Sequence, residues 1–313
     1  MKVTNSCIIC SNNSTKVIAD NIRGTEGVKV YYCEQCDIAF IDEIYTERNE
    51  EQFYNEEYPE KINPSHKGNS PTDVILTRTE RCMEYFTRRN KQGKALEIGC
   101  ASGAFLASIQ EYFDLVVGCD LNREHCEYVK SKYGIECHNM DIREMGQDGE
   151  FDFIFMFQLL EHISKPHEFL TKVSSLLKPQ GMLILDVPNL NEPLYRLYKL
   201  PRIKEGFFFK PQHPITYSTK ALNKVLVMHG FMEIETKLIQ NYSITNHLNW
   251  IYCNKGNNSF ESGIDVFFDS LIDKDYYQIW QELNIIYKKL LLQKGFSDII
   301  FSVYTKDPKP KEK

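Results

Sequence analysis

The stretch Ala95–Phe105, ALEIGCASGAF, decides how the rest of this 313-residue chain is read. A short apolar run ends in a tight turn at Gly99 and Gly103, and a helix-forming run follows. A strand, a glycine turn and a helix start put backbone N–H groups beside a ligand, and glycine lets the main chain approach it closely. A dinucleotide fingerprint carries three glycines. Here Ala101 stands between the two glycines and Glu97 precedes them. A carboxylate at that point repels a pyrophosphate and suits a cationic ligand.

Outward from this stretch the chain alternates. LVVGCD, IECHN, FDFIFMFQ and GMLILDVPN read as strands. SGAFLASIQEYF, NREHCEYVKSKYG and PHEFLTKVSSLLK read as helices, the second ended by Gly134 and the third opened by Pro166. Strands alternating with helices predict a parallel sheet with helices on both faces. FDFIFMF, nearly apolar throughout, has the pattern of a strand buried on both sides. Asp120, ending the LVVGCD strand, is placed to accept hydrogen bonds from ribose hydroxyls.

Upstream, Cys7 and Cys10 form one Cys-x-x-Cys knuckle and Cys33 and Cys36 a second. Two such knuckles have the ligand spacing of a structural Zn(II) site with four thiolates and no open position. Such a site supplies folding energy to a segment too small for its own core. Six further cysteines are scattered, as expected of small buried side chains in a reducing compartment. The formal net charge of -6 argues against a broad nucleic-acid footprint. No apolar run reaches the ~18 residues of a membrane span, and MKVTNSCIIC lacks a signal-peptide core. A cytoplasmic protein is therefore expected.

With these elements in order, residues 72–240 resemble the class I S-adenosylmethionine-dependent methyltransferases. LEIGCASGAF matches their first motif, with Ala101 in place of the middle glycine. GCDLN, NMDIRE, FDFIFMFQLLEHISKP and LLKPQGMLILDVPN match the later ones. The resemblance implies an α/β fold, a doubly wound Rossmann-like seven-stranded sheet preceded by a small zinc ribbon and carrying a helical cap insertion. It implies S-adenosylmethionine held by Glu97, Gly99, Cys100, Ala101 and Gly103. Asp120 would take the ribose, Leu121 and Ile142 the adenine ring, and Asp141 the adenine amine, with Phe157 and Gln158 following the fourth strand.

The organisation expected is a ribbon at 1–42, a connector at 43–71, the core at 72–240, a cap at 241–296, a last core strand at 297–306 and a tail at 307–313. Ribbon and core together resemble bacterial glycan and sugar methyltransferases. That likeness implies a small-molecule acceptor, a sugar or sugar nucleotide, and O-methylation. A homodimer is compatible with it. His162 with Glu161, just past the fourth strand, is the expected proton acceptor. His213 in KPQHPITYS is a second candidate base. Tyr217, His247 and Trp250 are candidates to contact the acceptor. His66, His125, His138, His167 and His229 read as surface or fold residues. Two rival readings are an RNA methyltransferase with a zinc ribbon and a non-catalytic ribbon and Rossmann module.

Overall fold

The structure, a computed structural model, describes residues 6–42, 71–86, 93–146, 148–197, 208–253 and 274–307. The expected connector, apart from its last residue, an expected helix in IDVFFDSLI and most of the tail lie outside them. The chain forms two compact units. The first gathers Met1–Thr46, Val187–Leu222 and Thr236–Phe301, and the second gathers Glu47–Asp186, Asn223–Glu235 and Ser302–Lys313.

In the first unit, β1 (Lys16–Ile22) and β2 (Thr25–Cys33) pair antiparallel around the Arg23-Gly24 turn, and β3 (Ile38–Ile41) pairs antiparallel with β2. A distant strand, β9 (Ile215–Tyr217), completes this sheet by pairing with β3, Ile38 opposite Tyr217. Three residues carry no resolvable period, so the sequence predicts no strand at β9. Edge pairing supplies what periodicity cannot: the main-chain groups of β3 find partners in β9. Ala19, Ile22, Val30, Ala39 and Ile41 share a small core with Leu190 and Phe209.

The seven-stranded sheet has the order β10-β11-β8-β7-β4-β5-β6. Its strands are β4 (Lys94–Ile98), β5 (Leu115–Asp120), β6 (Glu136–Asn139), β7 (Phe151–Phe157), β8 (Leu177–Pro188), β10 (Phe231–Ile239) and β11 (Ile299–Lys306). β4 is parallel to β5 on one side and to β7 on the other. The chain order thus reverses beside β4, and the crevice outside the strand ends there is where open α/β sheets bind ligands.

Local chemistry explains the elements. Along β7, Phe153, Phe155 and Phe157 recur at the two-residue strand period and stack along one face. Phe86, on α1 (Pro71–Phe86), meets Phe153 and Phe155 edge-on, and Phe105, on α2 (Ala104–Ile109), meets Phe155 likewise. α3 (Arg123–Tyr133) starts where the Asn122 side chain accepts from the His125 N–H, and ends on left-handed Gly134. α4 (Pro166–Leu176) opens with proline and buries Phe169, Val173 and Leu176. The remaining helices are α5 (Pro193–Arg196), α6 (Thr219–Met228), α7 (Ile244–Cys253) and α8 (Lys274–Gln293). Among the described residues no helix is long and apolar enough to cross a membrane.

Candidate cofactor cavity and metal centre

A cavity of about 250 Å³ opens in the second unit at the carboxyl ends of β4, β5, β6 and β7. Gly99 and Ala101 form its wall after β4, and Asp120 and Leu121 its wall after β5. Asp141 and Ile142 follow β6, and Phe157 and Gln158 follow β7. The sequence-predicted cofactor residues therefore come together at one sheet edge. Glu97, Cys100 and Gly103 are not among the lining residues and sit close to them in the chain. Cys100 turns its thiol to Cys137 Sγ, 3.5 Å away. Gly103 is held at φ +66°, and a Cβ there would meet a Val129 methyl at 2.5 Å, so only glycine allows the turn to pack on α3. Ala101 also has positive φ, +45°, which accounts for glycine being the easier residue there.

Charge is concentrated at this edge. Glu97 ends up buried, and its Oε2 has no hydrogen-bond partner among the described residues. Burial pushes its carboxyl up to about 8, against the pull of the Arg78 guanidinium. Asp120 accepts the Ala101 N–H at Oδ2 (2.9 Å) and the Asn122 N–H at Oδ1 (2.8 Å). Burial works against the Asp141 carboxylate, but hydrogen bonds from Arg143 outweigh it and hold its carboxyl below the usual range. Asp186, ending β8 within this unit, accepts from the Gln158 N–H and side-chain amide at 3.0 and 2.9 Å.

Glu161 and His162 lie in a 3₁₀ turn, Leu160–His162, directly after β7. His162 lines the cavity. Its Nε2 is 3.9 Å from Oε1 of Glu161, which is buried. An imidazole on the wall backed by a carboxylate can accept a proton and keep the resulting charge stabilised.

Residues 69–235, more than half of the chain, match the methyltransferase-domain family. The chain belongs to that family. Its methyltransferase domain is similar to the ubiquinone biosynthesis O-methyltransferase of Coxiella burnetii, 25% identical over 131 residues that cover 39% of this chain and 55% of the relative. The Haemophilus ducreyi protein of the same name is 25% identical over 160 residues, covering 44% and 68%. The chain spans about half the length of the first of these relatives. Among solved structures, an Archaeoglobus fulgidus SAM-dependent methyltransferase superposes with a TM-score of 0.50 at 18% identity, over 75% of this chain and 94% of that one. The [4+2]-cyclase SpnF superposes equally well, TM-score 0.50 at 13% identity, over 78% and 84%. Such likenesses establish the fold, which hosts more than one chemistry.

Two residues of the methyltransferase domain's cavity region escaped the sequence reading. His125, expected as a surface or fold residue, is 3% exposed and lines the cavity, its Nδ1 3.5 Å from Asp120 Oδ1. Its position three residues past the Asn122 cap was a usable signal, since side chains in a first turn point back toward the strand ends. Arg78 on α1 places its guanidinium 4.3 Å over the Phe157 ring and 3.4 Å from Asp186. No local pattern marks it, because only the packing of α1 brings it there.

The remaining candidates belong to the first unit. Tyr217 is fully buried in β9, and His213 is half-buried in the turn before it. Trp250 is half-buried on α7. His247 is fully buried there, with Nδ1 2.5 Å from the Tyr287 hydroxyl and Nε2 3.8 Å from Glu192 Oε1. Burial pushes its imidazole down to about 3 and the Glu192 carboxyl up to about 8. The thiols of Cys7, Cys10, Cys33 and Cys36 all lie within 4.8 Å of one another. The Cys10–Cys33 sulfur separation, 3.9 Å, matches the ~3.8 Å edge of a tetrahedron with ~2.3 Å metal–sulfur bonds.

Proposed function

We propose that the protein is an S-adenosylmethionine-dependent O-methyltransferase acting on a hydroxyl of a sugar or nucleotide-linked sugar in the cytoplasm. One observation carries the cofactor assignment. The cavity walls bear Asp120 and Asp141, and beside them Glu97 keeps a buried carboxyl oxygen without a hydrogen-bond partner among the described residues. That is a setting for a ligand with hydroxyls, an amine and positive charge, because a cation beside Glu97 would favour the ionised carboxylate that burial alone disfavours. Asp120 would take the ribose, Leu121 and Ile142 the faces of the adenine ring, Asp141 its amine, and the turn at Gly99 and Ala101 the methionine end. When bound, the cofactor supplies a methyl made electrophilic by its sulfonium. His162 would take the hydroxyl proton of the acceptor, and Glu161 favours the imidazolium that results. His213 is the alternative base, and Tyr217, His247 and Trp250 are the candidates on the acceptor side.

The sugar acceptor is supported by the resemblance of ribbon and core to glycan methyltransferases. The four thiolates of that ribbon would hold one structural Zn(II). A second acceptor reading is an aromatic hydroxyl, favoured by the ubiquinone O-methyltransferases among the relatives. The test is incubation with S-adenosylmethionine and, in parallel, a panel of nucleotide-activated sugars and one of catechol-type aromatics. A mass gain of one methylene on a sugar is expected. Methylation confined to the aromatics would overturn the sugar acceptor, and methylation of neither would overturn both.

A further inference from the structure

α8 is packed on one face and apolar on another. Toward its own unit, Asn284 accepts from the Ile244 N–H at 3.1 Å, Lys288 donates to the Asn241 carbonyl at 2.7 Å, and Leu291 is buried. The other stripe holds Ile279, Leu283, Ile286 and Leu290, which remain 52%, 43%, 53% and 53% exposed. Their spacing of four, three and four residues is that of a coiled-coil seam, where a second helix inserts its side chains. Isolated exposed aliphatics need no explanation, but four in register over three turns do.

The flanking charges say which helix fits. Glu282 and Lys289 lie one heptad apart, both exposed, on the same side of the seam. In a parallel pairing the residue facing Lys289 would be Lys294 of the partner subunit, a repulsive contact. In an antiparallel pairing Glu282 meets Lys289 of the partner subunit, and the two-fold axis generates the same pair again. A lipid surface or a uniformly charged partner would not call for one residue of each sign. We infer that the protein forms a two-fold symmetric dimer in which the α8 helices pair antiparallel through Ile279, Leu283, Ile286 and Leu290. The seam is ~17 Å long. Pairing two of them buries on the order of 1,000 Å², the lower edge for a specific interface, so the dimer is expected to dissociate on dilution.

Sedimentation analysis of the full chain over a concentration series tests this. The wild type should pass from monomer to dimer. Leu283→Asp and, as an independent variant, Ile286→Asp should be monomeric while keeping wild-type circular dichroism. Glu282→Lys and Lys289→Glu should each weaken the dimer by about tenfold or more, and mixing the two should restore it as a heterodimer. A wild type that stays monomeric throughout, or a dimer indifferent to Leu283→Asp and Ile286→Asp, overturns the interface. Failure of the mixture to restore association overturns the antiparallel pairing.

Discussion

The main-chain N–H of Ala101 donates to Asp120 Oδ2 at 2.9 Å. One carboxylate thereby ties the turn after β4 to the end of β5, while its other oxygen accepts from Asn122 at the start of α3. An ionised carboxylate has about four acceptor sites, so capacity remains for ribose hydroxyls.

Replacing Asp120 should therefore act twice. Asp120→Ala removes charge-assisted hydrogen bonds worth about 1.5–3 kcal/mol, so affinity for S-adenosylhomocysteine should fall roughly 10- to 100-fold. Thermal stability should fall as well, since the Ala101 and Asn122 amides lose their acceptor. Titration calorimetry and melting curves read the two effects separately. Wild-type affinity in this variant would remove Asp120 from the site.

Glu97 makes stability depend on pH. Its folded carboxyl titrates near 8, above its ordinary 4.5. The folded state thus holds a proton that the unfolded state has released between these values, and stability falls as pH rises from about 4.5 to about 8. Glu97→Gln removes this dependence. The melting temperature of the variant relative to wild type should rise steadily from pH 5 to pH 8. Asp298 and Glu192 titrate with the same sign but are common to both proteins and cancel. A pH-independent difference would show that Glu97 is ionised in the folded protein.

His162→Ala should lower methyl-transfer turnover by about 10²-fold while leaving S-adenosylhomocysteine binding near wild type, because a proton acceptor acts on the acceptor hydroxyl and not on the cofactor. Glu161→Gln, which keeps the imidazole but removes the carboxylate behind it, should have a smaller effect of the same kind. If His213→Ala alone reproduced the loss, the roles of the two histidines would be exchanged.

The four-thiol cluster should carry about one zinc per chain by elemental analysis of protein purified without added metal. Cys33→Ser should lose the metal and lower the melting temperature, because a tetrahedral site with one weak ligand no longer offsets the cost of ordering so small a segment. A fully folded, metal-free wild-type protein would rule the zinc out.

The residues from Lys94 to Pro188 carried their fold in the sequence. Strand and helix periods alternate cleanly there, Gly134 and Pro166 mark helix ends, and the turn at Gly99 and Gly103 needs a backbone that few residues adopt. The cysteine knuckles were equally legible, since two short loops fix four thiols in one small volume. In each case the signal is local, a period within one element or two cysteines within one turn, and spacing alone encodes it.

Tertiary structure decided what depends on distant segments meeting. The three residues of β9 join a sheet whose other strands lie more than 170 residues earlier. Arg78 reaches Asp186 because α1 packs on the sheet, and His125 reaches Asp120 because α3 starts at its edge. Burial raised Glu97 and lowered His247, and burial is a property of the assembled interior. The sequence by itself determined which cofactor chemistry the glycine turn suits, since that lies in residue types and their spacing. The protonation states and the exposure of the apolar stripe of α8 were decided by packing, because desolvation and exposure exist only once the chain has folded.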